Sequence, residues 1–194
     1  MKKIIICCLL VLGFAVSGFA LPQPQARVEQ MVDSILGVLQ NSGMNAAEKK
    51  AQVSGRVQEY LNMQSMSRRT LGIHWESATE EQRQRFTDLF VRVLEGTYLN
   101  RIGDYSGGTV KYLKQRVKED KAIVDTAIIS AELEIPVQYK MIYQGGHWQV
   151  FDIVIEGISL IKNYRSSYGE IIRQNGYEGL LALMDEKVLA MERP

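Results

Sequence analysis

The chain has 194 residues, and a hydrophobic fraction of 46% suits one domain with an apolar core. Its formal net charge is +1, from 23 basic and 22 acidic residues, which argues against a generic nucleic-acid binder. No window after residue 21 is apolar enough to predict a membrane span.

The start of the chain has the pattern of a secretory signal peptide. Lys2 and Lys3 precede the apolar run 4–14, and Gly18 and Ala20 provide small residues for cleavage. A transmembrane anchor is the alternative, but the run is shorter than the ~20 residues that span a bilayer. We therefore predict a cleaved signal peptide over residues 1–20, followed by a single exported domain over residues 21–194.

Both cysteines, Cys7 and Cys8, lie inside the predicted signal peptide. The exported domain would then contain no disulfide, and its fold would depend on packing alone. Loss of Lys2 and Lys3 would reduce the 23 basic residues to 21 against 22 acidic ones, so the formal charge would be −1. No nucleic-acid partner is expected for such a chain.

Helical periodicity dominates the first half of the exported chain. Apolar residues in the run 28–39 follow helical spacing, and a capping box at Asn45 begins a second helix. A short helical piece is predicted over residues 66–71. A further capping box at Thr79 begins the longest predicted helix, whose apolar stripe runs from Phe86 to Tyr98.

The pattern then changes to alternation, which predicts four strands over about 110–117, 123–130, 133–143 and 148–155. Short turns join them, so an antiparallel meander is expected. Because Pro136 cannot donate a ladder hydrogen bond, we place it at a bulge or on a free edge.

The fourth predicted strand is apolar on both faces, so it should be covered on both sides. Simple alternation puts Trp148, Val150 and Val154 on one face, together with Asp152, and puts Phe151, Ile153 and Ile155 on the other. We expect this strand to form the back wall of an apolar cavity.

Two more helical segments follow the strands. The first begins near Ser159, predicted as its N-cap, and stops at Asn175 and Gly176, while the second covers residues 180–188. The order of elements predicts an α+β fold, with a four-stranded, largely antiparallel, curved sheet covered by about six helices.

Few residues suggest catalysis or metal binding. His74 and His147 are far apart and no exported cysteine remains, so no metal site and no cofactor are predicted. Asp152 and Glu156 are the candidates for acid–base chemistry, because an apolar cavity can raise the pKa of a carboxyl. The favoured interpretation is that they pair with Arg165, Lys162 or backbone amides at the cavity rim; Arg165 could instead meet a ligand phosphate.

Basic residues on the first predicted strand could form a docking patch for anionic lipid or a partner. Simple solvation of an exposed strand would give the same pattern. The residues are Lys111, Lys114, Arg116 and Lys118, together with Arg68 and Arg69.

Several segments, in the same order, resemble the MlaC family, also called the toluene-tolerance auxiliary family. They are Leu71-Gly72 with Trp75, Thr79 to Phe86, Phe90 to Tyr98, Val137 with Tyr139, and Trp148 to Tyr168. The resemblance implies helices folded over a sheet of the nuclear transport factor type, which enclose a deep apolar pocket for phospholipid tails. It also implies a periplasmic, non-enzymatic carrier, expected to be monomeric, with phospholipid as its cargo.

The resemblance further implies two partners. They are an outer-membrane lipoprotein of the MlaA type with a porin, and the MCE-domain ring of an inner-membrane ABC transporter of the MlaD type. Exchange of phospholipid between them would maintain outer-membrane lipid asymmetry.

The cavity wall is predicted from the faces that the sheet and helices would turn towards each other. The candidate lipid-binding residues are Phe90, Leu94, Tyr98, Val137, Tyr139, Met141, Phe151, Val154, Ile158, Tyr164, Tyr168 and Leu181. Two other functions stay open: a small-molecule enzyme with Asp152 or Glu156 as general base, and a periplasmic chaperone or adaptor with an open apolar groove.

Overall fold

The computed structural model describes residues 21–99, 108–129 and 133–193. The predicted signal peptide, residues 1–20, lies outside the described residues, as does Ser130 at the predicted end of the second strand. Within the described part, the fold is α+β, as predicted. The sheet is curved and antiparallel with strand order β1-β2-β3-β4-β5, one strand more than expected because a two-residue strand follows the fourth.

The helices and strands alternate in blocks along the chain. The first block contains α1 (Pro24–Leu39), α2 (Ala46–Tyr60), α3 (Met63–Leu71), α4 (His74–Ser77), α5 (Glu80–Leu94) and a π-helix (Glu95–Leu99). The second contains β1 (Thr109–Lys118), β2 (Lys121–Ile129), β3 (Glu134–Gln144), β4 (His147–Ile155) and β5 (Ile158–Ser159). The long helix α6 (Leu160–Glu192) completes the described fold.

The helix starts follow from local sequence, as predicted. The side chains of Asn45 and Thr79 each accept a hydrogen bond from the backbone N–H of the third helical residue. That residue's side chain accepts one from the backbone N–H of the cap, which completes both capping boxes. Ser159 caps α6 by accepting from the backbone of Lys162 at 3.1 Å. Gly176 breaks α6 with a φ of 71°, a conformation that favours glycine, so α6 consists of two arms.

The apolar side chains form two cores. In the helical core, α3, α5 and both arms of α6 pack around Phe86 and Phe90, whose rings stack with centroids 5.5 Å apart. In the sheet core, α1 packs Val28 and Met31 onto one sheet face. The indole of Trp148 fixes the start of the chain there, because its Nε1 donates to the Pro22 carbonyl at 2.6 Å.

A β-bulge in β4 overturns the predicted assignment of its faces. Met141 opposes Val150, but the next residue back, Lys140, opposes Asp152, so Phe151 is the extra residue. Since opposed residues share a face, Val150 lies with Ile153 and Ile155 on the sheet-core face. Asp152 and Val154 lie on the opposite face. Simple alternation failed because a bulge reverses every side chain that follows it.

The position predicted for Pro136 also needs correction. Pro136 lies in β3, a central strand, where it opposes Ala127 of β2. Its carbonyl accepts from the Glu156 backbone at 3.0 Å, just beyond the ladder between β3 and β4. A residue's N–H and C=O point to the same neighbouring strand. The N–H that proline lacks would therefore point past the end of β4. Its absence breaks no ladder hydrogen bond, so a central strand can tolerate Pro136.

The buried tyrosines predict how stability should depend on alkaline pH. Burial raises the pKa of Tyr139 to about 12, and a hydrogen bond with Thr126 lowers it only in part. Unfolded tyrosine ionises near ~10, so the folded chain holds this proton more tightly. The free energy of unfolding should be insensitive to this group below pH ~10 and should fall between about 10 and 12.

Denaturant titrations at several pH values, read beside tyrosinate absorbance, would measure this slope. Burial also raises the pKa values of Tyr98, Tyr112 and Tyr177 to about 12, so Tyr139→Phe should remove only part of the slope. An unfolding free energy that stays constant up to pH ~11.5 would contradict the prediction.

Candidate functional site

An apolar cavity lies at the seam between the helical core and the sheet core. Its volume is about 160 Å³, and we call it the seam cavity. Its lining residues are Val57, Gln58, Leu61, Met63, Met66, Val91, Leu94, Glu95, Tyr98, Ile153, Ile155 and Leu160. The sequence prediction of an internal apolar pocket is therefore confirmed.

The cavity walls come from helices α2, α3 and α5, the π-helix, strand β4 and the start of α6. Leu61, in the link from α2 to α3, packs against both cores. That link is fixed to the sheet because the Asn62 backbone donates to the Val150 carbonyl at 2.8 Å. The bulge at Phe151 turns Ile153 and Ile155 of β4 towards the cavity, opposite the end of α5.

A polar contact closes the seam between α2 and the π-helix, and we call it the clasp. The Glu95 carboxylate accepts from the Ser54 hydroxyl and, at 2.8 Å, from the Gln58 amide. Among the described lining residues, Glu95 carries the one formal charge. The cavity interior therefore suits hydrocarbon, while the clasp limits its opening to solvent.

Tyr98 stands between the seam cavity and a second depression. This neighbouring groove of about 450 Å³ lies against both arms of α6 and includes Tyr98, Tyr164 and Tyr168 in its lining. Of the predicted lipid-binding residues, Leu94 and Tyr98 line the seam cavity, and Tyr98, Tyr164 and Tyr168 line this groove.

The other predicted wall residues do not line the seam cavity. Phe90 is buried in the helical core, and Val137, Tyr139 and Met141 are buried in the sheet core. Leu181 of α6 faces a depression against α5. Three further residues lie elsewhere: Phe151 in a groove beside β1 and β2, Val154 buried on the other face of β4, and Ile158 in β5 with 62% exposure. Lipid contact by these residues stays a prediction.

The polar residues placed at the rim have other partners. Asp152 is only 4% exposed and accepts from Lys140 Nζ at 2.9 Å, from the Ser159 hydroxyl at 2.8 Å and from the Ile161 backbone at 3.2 Å. The expected contact with a backbone amide is thus present, but the ion pair is with Lys140 and not with Arg165. Sequence spacing could not reveal this, because Lys140 opposes Asp152 only through the bulge.

Glu156 and Arg165 do not join Asp152. Glu156 is exposed in the turn before β5, with a φ of 50°. The Arg165 guanidinium donates from Nε to the Arg69 carbonyl at 2.6 Å, which connects α6 to α3. Neither Asp152 nor Glu156 lines the seam cavity.

The predicted basic residues are distributed over more than one surface. Arg116 and Lys118 line a groove of about 250 Å³ with Lys121, Lys140 and Phe151. Arg69 reaches the same aromatic ring, with its guanidinium 4.1 Å from the Phe151 centroid. Arg68 pairs with Glu76 at 2.8 Å instead. Docking of anionic lipid or a partner on this surface stays a prediction.

Sequence patterns missed most of the cavity lining. Val57 and Leu61 fall on the apolar spacing of the second predicted helix, which gives no sign of a cavity, and simple alternation puts Ile153 and Ile155 on the face opposite Val150. The one available clue is the pair Leu61 and Met63, apolar residues on either side of a helix boundary. A cavity between two cores produces no periodic pattern of apolar residues in the sequence.

The described residues show no metal site and no membrane-spanning helix. Within residues 21–99, 108–129 and 133–193, no three His, Cys, Asp or Glu side chains are grouped as metal ligands. Over the same residues, no helix is both long and apolar enough to cross a bilayer.

Known proteins share this fold and sequence pattern. The Haemophilus influenzae intermembrane phospholipid transport system binding protein MlaC is 23% identical over 133 residues, which cover 66% of this chain and 62% of the relative. The Pseudomonas putida toluene tolerance protein ttg2D is 30% identical over 101 residues, or 51% of this chain and 47% of the relative. Each match therefore spans less than two thirds of the relative's length.

A solved structure supports the fold assignment. The phospholipid-binding protein from Ralstonia solanacearum, in complex with a phospholipid, superposes with a TM-score of 0.81 at 23% identity, over 89% of this chain and 100% of that chain. The family model for MlaC protein matches residues 29–186. Because that match covers most of the sequence and all the elements that line the seam cavity, this chain belongs to the MlaC family.

Proposed function

We propose that this protein is a non-enzymatic phospholipid carrier that holds acyl chains in the seam cavity. The observation that carries the proposal is the hydrocarbon-lined space between two separate cores, in a chain of the MlaC family. Relatives named for phospholipid transport and phospholipid binding support the same cargo.

The energetics explain why a carrier needs such a cavity. Two acyl chains contain roughly thirty methylenes, and their exposure to water at ~0.8 kcal/mol each costs more than ~20 kcal/mol. Spontaneous transfer through water is therefore slow. An apolar interior makes transfer from bilayer to protein nearly balanced, so partners can determine the direction.

Loading requires the seam cavity to widen. Pockets for drug-sized ligands have volumes of roughly 300–1,000 Å³, whereas the seam cavity has about 160 Å³. Since Leu61 is shared by both cores, and the clasp joins α2 to the π-helix, we infer that the cores separate along this line when acyl chains are taken up.

The cellular role follows the family resemblance. We infer export to the periplasm by residues 1–20 and a single lipid-binding domain over residues 21–194. The partners would be an MlaA-like outer-membrane lipoprotein with a porin and an MlaD-like MCE ring, and the carrier would act as a monomer.

Extraction of the purified protein with organic solvent, followed by mass spectrometry, tests the proposal. We expect phospholipid in amounts comparable to the protein, and uptake of phospholipid from vesicles after delipidation. Boiled protein extracted in parallel would control for lipid adsorbed to unfolded chain. Folded protein that carries no phospholipid, and acquires none from vesicles, would refute the proposed function.

A further inference from the structure

The groove beside the seam cavity differs from it in chemistry. We call it the tyrosine groove; besides apolar side chains from both arms of α6, it includes Tyr98, Asn163, Tyr164, Ser167, Tyr168 and Lys187 in its lining. No Asp or Glu belongs to the described lining. Its volume of about 450 Å³ exceeds that of the seam cavity, and its walls alternate between apolar and hydrogen-bonding groups.

The two spaces share one side chain as a common wall. Tyr98 lines both, and it lies beside Tyr164 in the groove. Tyr98 is carried by the π-helix, a local irregularity that often occurs at functional sites. A movement of this one ring would join the hydrocarbon-lined cavity to the polar groove.

The tyrosine groove contains a hydrogen-bonding group without a partner. Tyr168 is 6% exposed, and its buried hydroxyl has no hydrogen-bond partner among the described residues. Burial raises the pKa of Tyr168, so the hydroxyl stays a neutral donor at physiological pH. A buried donor without an acceptor is costly, and a ligand oxygen would relieve that cost.

The tyrosine groove also contains a cation that no described residue neutralises. Lys187 Nζ lies 5.9 Å from the Tyr164 ring centroid and forms no ion pair within the described part of the chain. An ammonium beside phenol donors, in a lining without carboxylates, suits a phosphate next to ester oxygens.

We propose that the tyrosine groove binds the glycerol phosphate portion of a phospholipid whose acyl chains pass Tyr98 into the seam cavity. This inference builds on the proposed function, since it assigns the polar part of the same lipid to a place on the protein. The phosphate would lie near Lys187, and the ester oxygens near the tyrosine hydroxyls.

Paramagnetic broadening of the bound lipid's ³¹P signal would locate the phosphate. The described residues contain no cysteine, and Cys7 and Cys8 lie in the predicted signal peptide. A nitroxide on Leu183→Cys, a site 44% exposed in the groove lining, should abolish the ³¹P signal of bound phosphatidylglycerol. A nitroxide on Leu113→Cys, an exposed site on β1 that lines neither space, is the matched control and should leave that signal visible.

Broadening by the Leu113 label alone, or equal broadening by both labels, would overturn the inference while leaving the proposed function intact. Absence of any bound lipid would refute both. Inorganic phosphate alone should show no broadening with either label, since the site is proposed to need the tethered acyl chains. Broadening of free phosphate at Leu183, without broadening of lipid, would show an ion site and overturn the inference.

The charge of Lys187 provides a second test. Lys187→Gln should weaken binding of phosphatidylglycerol several-fold, and Lys187→Arg should restore it, while binding of diacylglycerol with the same chains should not change. An equal effect on both lipids, or no effect on either, would contradict a phosphate contact.

Discussion

Replacing Ile153 with aspartate should abolish phospholipid loading while leaving the domain folded. Ile153 is half-buried and lines the seam cavity from β4. A carboxylate there would be desolvated by any acyl chain that fills the cavity, at an effective cost of several kcal/mol. Since each ~1.4 kcal/mol changes an equilibrium tenfold, we expect lipid affinity to fall at least about a hundredfold.

Lipid content per mole of purified protein, beside circular dichroism and thermal unfolding, would measure this effect. Ile73→Asp is the matched control, because it makes the same change at a site that is 86% exposed and does not line the seam cavity. That variant should keep its lipid. If Ile153→Asp retained a full load, the acyl chains would lie elsewhere, and the placement of the site in the seam cavity would be wrong.

Removing the Asp152 carboxylate should produce the largest loss of stability. Asp152→Ala removes the acceptor for Lys140, the Ser159 hydroxyl and the Ile161 backbone, which together join β4 to the start of α6. Breaking a buried ion pair from one side costs about 3–5 kcal/mol. The lower end is expected here, because the Lys140 side chain is 27% exposed and can recover some hydration.

Guanidinium unfolding of the variants would test this interpretation. Glu156→Gln, in an exposed turn, should change the free energy of unfolding by less than about 0.5 kcal/mol. The double variant Asp152→Ala with Lys140→Met should be more stable than Asp152→Ala alone, since it leaves no unpaired charge. A double variant no more stable than the single one would assign the loss to the hydrogen bonds with α6, and not to the ion pair.

The secondary structure was predictable because its determinants are local. The capping boxes at Asn45 and Thr79, the N-cap at Ser159 and the break at Gly176 each act within one helical turn. Hairpin turns likewise fixed the order of the strands. The faces of β4 were assigned wrongly, since the bulge at Phe151 is specified by pairing with β3 and not by the sequence of β4 itself.

The cavity lining was less predictable, because it depends on how the helical core and the sheet core pack against each other. Periodicity identifies side chains that leave water, but buried Tyr139 and cavity-lining Ile153 have the same apolar pattern in sequence. Whether a buried side chain meets another side chain or an open space depends on how two packed layers meet. The partners of Asp152 were hidden for the same reason, since Lys140 is twelve residues away along the chain.

The bulge at Phe151 makes strand length more critical than side-chain identity in this part of the protein. Because of this one extra residue, β4 presents the Asp152 carboxylate on one face and the side chains of Ile153 and Ile155 on the other. Homologues could exchange isoleucine, valine or leucine on the apolar face of β4, which would adjust the shape of that face to different acyl chains. An insertion or deletion between Gln149 and Asp152 would instead reverse both faces of the strand at once. It would turn the Asp152 carboxylate towards the apolar side and remove the hydrogen bonds that hold the start of α6.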